Sequence, residues 1–187
     1  HTLFLKERFI FMLSHLFDAL LGVHTVWDTL AHTDLPIVMY GTGDGADKII
    51  NVMETLGIPL TAIFVSDDFY RGQIFRGRQV TTLSALEEQY SDFIIVVAFG
   101  SHLPEIIERV SQMDQQHPLY VPDVPVYGDR LFDFSFVRQH AAEFEKAYTL
   151  LADETSRQIY RYVIEYKLTG KLAPLMAATS AKDEVFE

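Results

Sequence analysis

The stretch "IVMYGTGDGADKII", residues 37–50, narrows the folds open to this chain more than any other. Four apolar residues suit a buried strand, Gly41, Gly43 and Gly45 punctuate a turn, and the apolar positions that follow recur at helical spacing. Pro36 stops helical structure before the strand, and Gly57 is placed to end the helix. A strand that runs through a tight turn straight into a helix has to cross over before its next strand, so the unit belongs to a parallel sheet.

The following segments repeat that alternation. "PLTAIFVSDD" predicts a second strand ending in two acids, and "RGRQVTTL" a short third one leading into the helix "SALEEQY", which Ser84 can cap. "DFIIVVAFG" is nearly all apolar, as a central parallel strand covered on both faces should be. "LPEIIERVSQM" reads as a helix with Pro104 in its first turn, and "HPLYVPDVPV" as a fifth, proline-limited strand or extended segment. The fold class expected is α/β: a small Rossmann-like, doubly wound parallel sheet of about five strands with flanking N- and C-terminal helices.

The chain divides into an N-terminal helical segment (1–34), the Rossmann-like unit (35–135), C-terminal helices (136–172) and a linker (173–187). Asp153 is a plausible cap for the helix "ETSRQIYRYVIEYKLT", and Gly170 its end. Near the N-terminus Phe9, Leu13, Leu16, Phe17, Leu20, Val23 and Trp27 recur three or four apart, in one long helix or two broken near Gly22. This stripe is expected to pack on Tyr160, Val163, Ile164 and Leu168, in a layer that seats a further domain or a second copy of the chain in a homodimer.

The net charge of −11 over 187 residues argues against nucleic acid and anionic membrane as partners, since both call for a cationic surface. The absence of cysteine excludes disulfides and makes a cytoplasmic location the natural expectation. "FIFMLSHLFDALLG" is apolar but is interrupted by Ser14, His15 and Asp18, well short of the ~20 residues a membrane helix needs. The chain begins with His1 rather than Met, as a piece cut from a longer protein would.

Gly41, Gly43 and Ala46 match the G-x-G-x-x-A of a dinucleotide-binding turn, in which the helix amides face a phosphate. Asp67 and Asp68, 21 and 22 residues beyond Ala46, stand where an acid would bond a ribose. The candidate ligand-binding set is therefore Gly41, Thr42, Gly43, Asp44, Gly45 and Ala46 in the turn, Asp67 and Asp68 after the second strand, and Phe99, Gly100 and His102 on a far wall after the fourth. Nucleotide-sugar and NAD(P) are the ligands such a turn takes. The competing reading is a tight strand–helix turn that binds nothing, and Asp44 favours it, because a carboxylate beside a phosphate repels it unless Lys48 compensates. Arg71, Arg76 and Arg78 either reach a phosphate or are solvated.

No catalytic residue emerges. Ser101 and His102 lack a surrounding G-x-S-x-G, and the seven histidines show no metal-binding spacing, His24 with Asp28 coming nearest. A methyl-donor turn commonly carries an acid two residues before its first glycine, where this chain has Met39.

"YGTGDGADKI", "FVSDD", "DFIIVVAFG" and above all "LLADETSRQIYRYVIEYKLTG" resemble the N-terminal region of one branch of bacterial FkbM-type methyltransferases, over residues 35–172. The resemblance implies an accessory domain ahead of a separate methyltransferase domain that holds S-adenosylmethionine and performs catalysis, and that would be its partner in cis. That N-terminal region is itself similar to the nucleotide-sugar-binding domains preceding certain acetyltransferases, but no hexapeptide repeats follow here. Two other functions compete. An NAD(P)-dependent oxidoreductase or epimerase would need a Tyr-x-x-x-Lys, whereas Tyr162 and Lys167 have the wrong spacing. A purely structural module would use its flanking helices for dimerisation or domain docking.

Overall fold

The computed structural model describes residue 20 and residues 22–179. Within them, α1 (Val26–Ala31) precedes β1 (Ile37–Tyr40), which enters α2 (Asp44–Leu56) through the glycine turn. β2 (Ala62–Phe64) follows, then a 3-10 turn (Asp67–Phe69), the hairpin β3 (Ile74–Phe75) and β4 (Arg78–Thr81), and α3 (Leu83–Gln89). β5 (Ile94–Val97), α4 (Pro104–Gln116) and β6 (Leu119–Tyr120) complete the sheet. Four helices end the described chain: α5 (Phe134–Gln139), α6 (Ala141–Leu150), α7 (Glu154–Thr169) and α8 (Leu172–Ala177).

The six-stranded sheet has the order β3-β4-β2-β1-β5-β6 and is parallel apart from β3. This is the Rossmann-like α/β architecture expected, with one strand more than the sequence suggests. β3 escapes notice because two residues carry no periodicity. It pairs antiparallel with β4 across Arg76 and Gly77, both at positive φ (48° and 75°), which is the geometry of a two-residue hairpin turn with right-handed strand twist. At the opposite edge β6 shrinks to two residues, because Pro118 and Pro122 flank it and neither can donate to a ladder.

β1 and β5 are buried at every position, the signature of central parallel strands covered on both faces. One face packs α1 and α2: Trp27, Leu30, Ile49 and Met53 meet Ile37, Met39, Ile63 and Val96. The other packs α3, α4 and α8: Leu86, Val110, Met113 and Leu172 meet Val38, Phe64, Ile95 and Val97. The helices after β1 and β5 thus lie on opposite faces, which leaves a crevice at the carboxyl ends of those two strands.

Local capping explains several helix boundaries. Thr25 and Asp28 form a reciprocal capping box that starts α1, with Thr25 Oγ1 accepting from the Asp28 amide at 3.1 Å. Asp153 Oδ1 accepts from the Ser156 amide at 2.7 Å to start α7, and Gly170 (φ +62°) ends it. Gly57 (φ +69°) closes α2 in the same left-handed way. The cap of α3, however, is Thr82, whose hydroxyl accepts from Ala85 N, and Ser84 lies inside the helix. α8 occupies the start of the segment that proline and small residues suggest is a linker: Pro174 is accommodated in its first turn, where no intrahelical amide bond is lost, and Leu172 and Pro174 are buried.

A third cluster gathers Leu20, Val137, Ile164 and Leu168 beside the partly buried Tyr160. Leu20 therefore meets the C-terminal face expected for it, whereas Trp27 turns to the sheet and Val163 is 36 % exposed. Gly22 (φ +85°) separates Leu20 from α1. Phe9, Leu13, Leu16 and Phe17 lie outside the described residues.

Candidate functional site

β1 and β5 pair over their whole length, Ile37↔Ile94 to Tyr40↔Val97, and the Ala98 amide continues the ladder by donating to Tyr40 O at 3.0 Å. That register brings the end of β5 beside the turn after β1, and the three glycines there answer to different demands. Gly41 has φ +115°, and a Cβ on it would stand 2.9 Å from the Phe99 ring. A Cβ on Gly45 would stand 2.2 Å from the Ala98 carbonyl oxygen, so the first turn of α2 rests directly on the backbone at the end of β5. The close helix–strand packing that the motif assigns to its third small residue is thus shared: Ala46 is fully buried against the sheet, and Gly45 makes the closer approach. Gly43, the N-cap of α2, has an ordinary φ of −95° and nothing within 4 Å of where its Cβ would be.

Around this turn the candidate residues divide. Thr42 is half-buried; Gly43 and Asp44 are exposed. Asp44 is paired with Lys48 at 2.9 Å, which offsets its negative charge at the helix start. Asp67 and Asp68 fall in the 3-10 turn after β2, exposed, at the same carboxyl edge of the sheet. Phe99 is half-buried, edge-on to Tyr40 at 4.8 Å, and Tyr40 in turn stacks on Phe64 at 4.7 Å. Tyr40 and Phe64 belong to the buried core on one face of the sheet, so Phe99 is seated against the core. Gly100, Ser101 and His102 are exposed, and the Ser101 hydroxyl accepts from the Leu103 amide at 3.2 Å.

One residue here has no sequence signal. Arg109 of α4 comes within 4.0 Å of Asp68. Its pKa is raised, first by a hydrogen bond to Tyr40, against a desolvation penalty, and then by Asp68 and Asp67. Only the pairing of β1 with both β2 and β5 brings Tyr40, Asp68 and Arg109 together.

Of the loop arginines, Arg76 is committed elsewhere. Its guanidinium pairs with Asp47 at 3.0 Å and Glu54 at 3.6 Å and donates to Asn51 at 2.7 Å, which ties the β3–β4 hairpin to α2. Arg71 turns back on its own loop, donating to the Tyr70 carbonyl at 2.6 Å. Arg78 is exposed on β4. Among the described residues no three His, Cys, Asp or Glu side chains are grouped to hold a metal ion, and no helix is long and apolar enough to cross a membrane.

No protein-family model and no curated protein matches the chain. Among solved structures, the crystal structure of Methyltransferase FkbM from Methylobacillus flagellatus KT is similar, with a TM-score of 0.55 and 15% sequence identity over 93% of this chain. The chain spans about half of that protein, 51% of its length, and at this identity the likeness is one of fold: a Rossmann-like α/β sheet of the kind found in a methyltransferase.

Proposed function

We propose that this chain is an N-terminal accessory domain of an FkbM-type, S-adenosylmethionine-dependent methyltransferase, and that its glycine turn binds a nucleotide or nucleotide-sugar. The observation that carries the reading is Gly43. Gly41 and Gly45 are required by the fold itself, whereas neither the backbone nor any neighbour demands a glycine at 43. A bare, exposed N-cap ahead of a thirteen-residue helix suits the close approach of a diphosphate to the first-turn amides.

In this role Gly41 to Ala46 surround the diphosphate, and Asp67 or Asp68 accepts from the ribose hydroxyls. Phe99, Gly100 and His102 form the opposite wall. Lys48 and Arg109 supply the positive charge that keeps Asp44 and Asp68 from repelling the ligand. Methyl transfer belongs to a partner domain in cis: position 39, where a methyl-donor turn carries an acid, is a methionine fully buried in the core.

Calorimetric titration with UDP-sugars, NAD and NADP tests the proposal. Binding by at least one is expected, and Gly43→Asp should abolish it by placing a side chain and a like charge where the phosphate sits. No binding of any of them at millimolar concentration refutes the nucleotide site. Tight binding of S-adenosylhomocysteine to this chain alone refutes the accessory role.

A further inference from the structure

A cavity of about 200 Å³ lies apart from the glycine turn and shares no residue with it. Its walls come from the loop after β6 and from α5 and α7. Two contacts fasten that loop to the end of α7: Lys167 Nζ donates to Asp123 Oδ2 at 2.8 Å, and the Val121 amide donates to the Gly170 carbonyl at 2.6 Å.

The lining has an uneven charge. Lys167 is matched by Asp123 and also sits 5.6 Å from the centre of the Phe132 ring. Arg130 stands 4.8 Å over the Phe136 ring and donates to the Gln139 side chain, but it pairs with no carboxylate of the described residues. An arginine held on an aromatic face at a cavity wall, without an acid, leaves that wall one positive charge in excess, in a chain whose net charge is −11. The rest of the lining is apolar, with Leu131 and Pro125 beside the two rings.

We infer that this cavity is a second ligand site, for a small metabolite that carries one oxyanion group, carboxylate or phosphate, on a compact apolar body. Arg130 receives the oxyanion through its planar donor fork, and the phenylalanines and Leu131 cover the body. The volume is below the ~300–1,000 Å³ typical of sites for drug-sized ligands, which restricts the occupant to a small molecule. Lys167 stays with Asp123 and contributes field rather than a direct contact.

Titration of the whole chain with benzoate, phenyl phosphate and inorganic phosphate tests the inference, the first two separating a carboxylate from a phosphate source. We expect one of the two aromatic anions to bind more tightly than inorganic phosphate, and Arg130→Gln to weaken it by about tenfold or more, the worth of a charge-assisted hydrogen bond. Arg130 is exposed, so the variant keeps the fold, which circular dichroism verifies. Gly43→Asp should leave this binding unchanged even though it abolishes nucleotide binding, so each site stands or falls separately. The inference is overturned if neither aromatic anion binds at millimolar concentration, if inorganic phosphate binds as well as they do, or if Arg130→Gln leaves the affinity unchanged.

Discussion

Replacing Gly45 by alanine should destabilise this protein, although alanine is the better helix former. The new Cβ would lie 2.2 Å from the Ala98 carbonyl oxygen, where ordinary contact begins at 3.4 Å. The obstacle is backbone, that of the residue just past the end of β5, whose amide is still bonded to Tyr40 O, so no flexible side chain can swing away. α2 must lift by more than an ångström, and it carries Ala46, Ile49 and Met53 out of their seats on the sheet. Overpacking of this kind costs about 1–3 kcal/mol, and a backbone obstacle puts it near the upper end. The helix-propensity gain of alanine over glycine returns at most about 1 kcal/mol. A net loss of about 2 kcal/mol should lower Tm by roughly 4–8 °C in a chain of this size. Gly43→Ala is the control: no atom stands near its Cβ and its φ is ordinary, so no clash arises and only the poorer N-capping of alanine, up to about 1 kcal/mol, is at stake. Urea denaturation and thermal melts of both variants measure the difference. Gly45→Ala as stable as the parent would refute the claim that α2 rests on the backbone at the end of β5.

In the third cluster Leu168 is fully buried whereas Val163, five residues earlier on α7, is 36 % exposed. Leu168→Ala should therefore cost about 2–5 kcal/mol in urea denaturation, and Val163→Ala should stay within about 0.5 kcal/mol of the parent. The Asp153 carboxyl has its pKa lowered, chiefly by the backbone hydrogen bond from Ser156. Its capping contribution is accordingly present above the unfolded aspartate pKa of about 3.9 and is lost as pH falls through the lower folded value. Asp153→Ala should be less stable than the parent at neutral pH, with the gap closing in acid; a gap that persists below the folded pKa would contradict this assignment.

Several features are settled by neighbouring residues and are legible without a structure. A β1 segment with no polar position, proline before it, a glycine turn after it and helical spacing up to Gly57 leave few alternatives to strand, turn and helix. The same holds for Pro104 opening α4 and for Asp153 and Gly170 bounding α7, because caps act over three or four residues. The order of these elements also prescribes a parallel sheet whose strand-to-helix turns gather at the carboxyl edge.

What needed the tertiary structure depends on residues far apart in the chain. Gly45 rather than Ala46 makes the closest approach because the register of β1 with β5 sets Ala98 beside it. Arg76 is withdrawn from any phosphate because a hairpin too short to show periodicity swings it onto Asp47 and Glu54. Trp27 belongs to the sheet rather than to the C-terminal helices because Gly22 turns the chain before α1. Arg109 meets Asp68 and Tyr40 only through strand order, and Arg130 comes to a cavity wall beside Lys167 only because the loop after β6 is fastened to α7. Side-chain periodicity records which face of an element is buried; it carries no information about which distant element covers that face, and charge pairing and cavity shape are decided there.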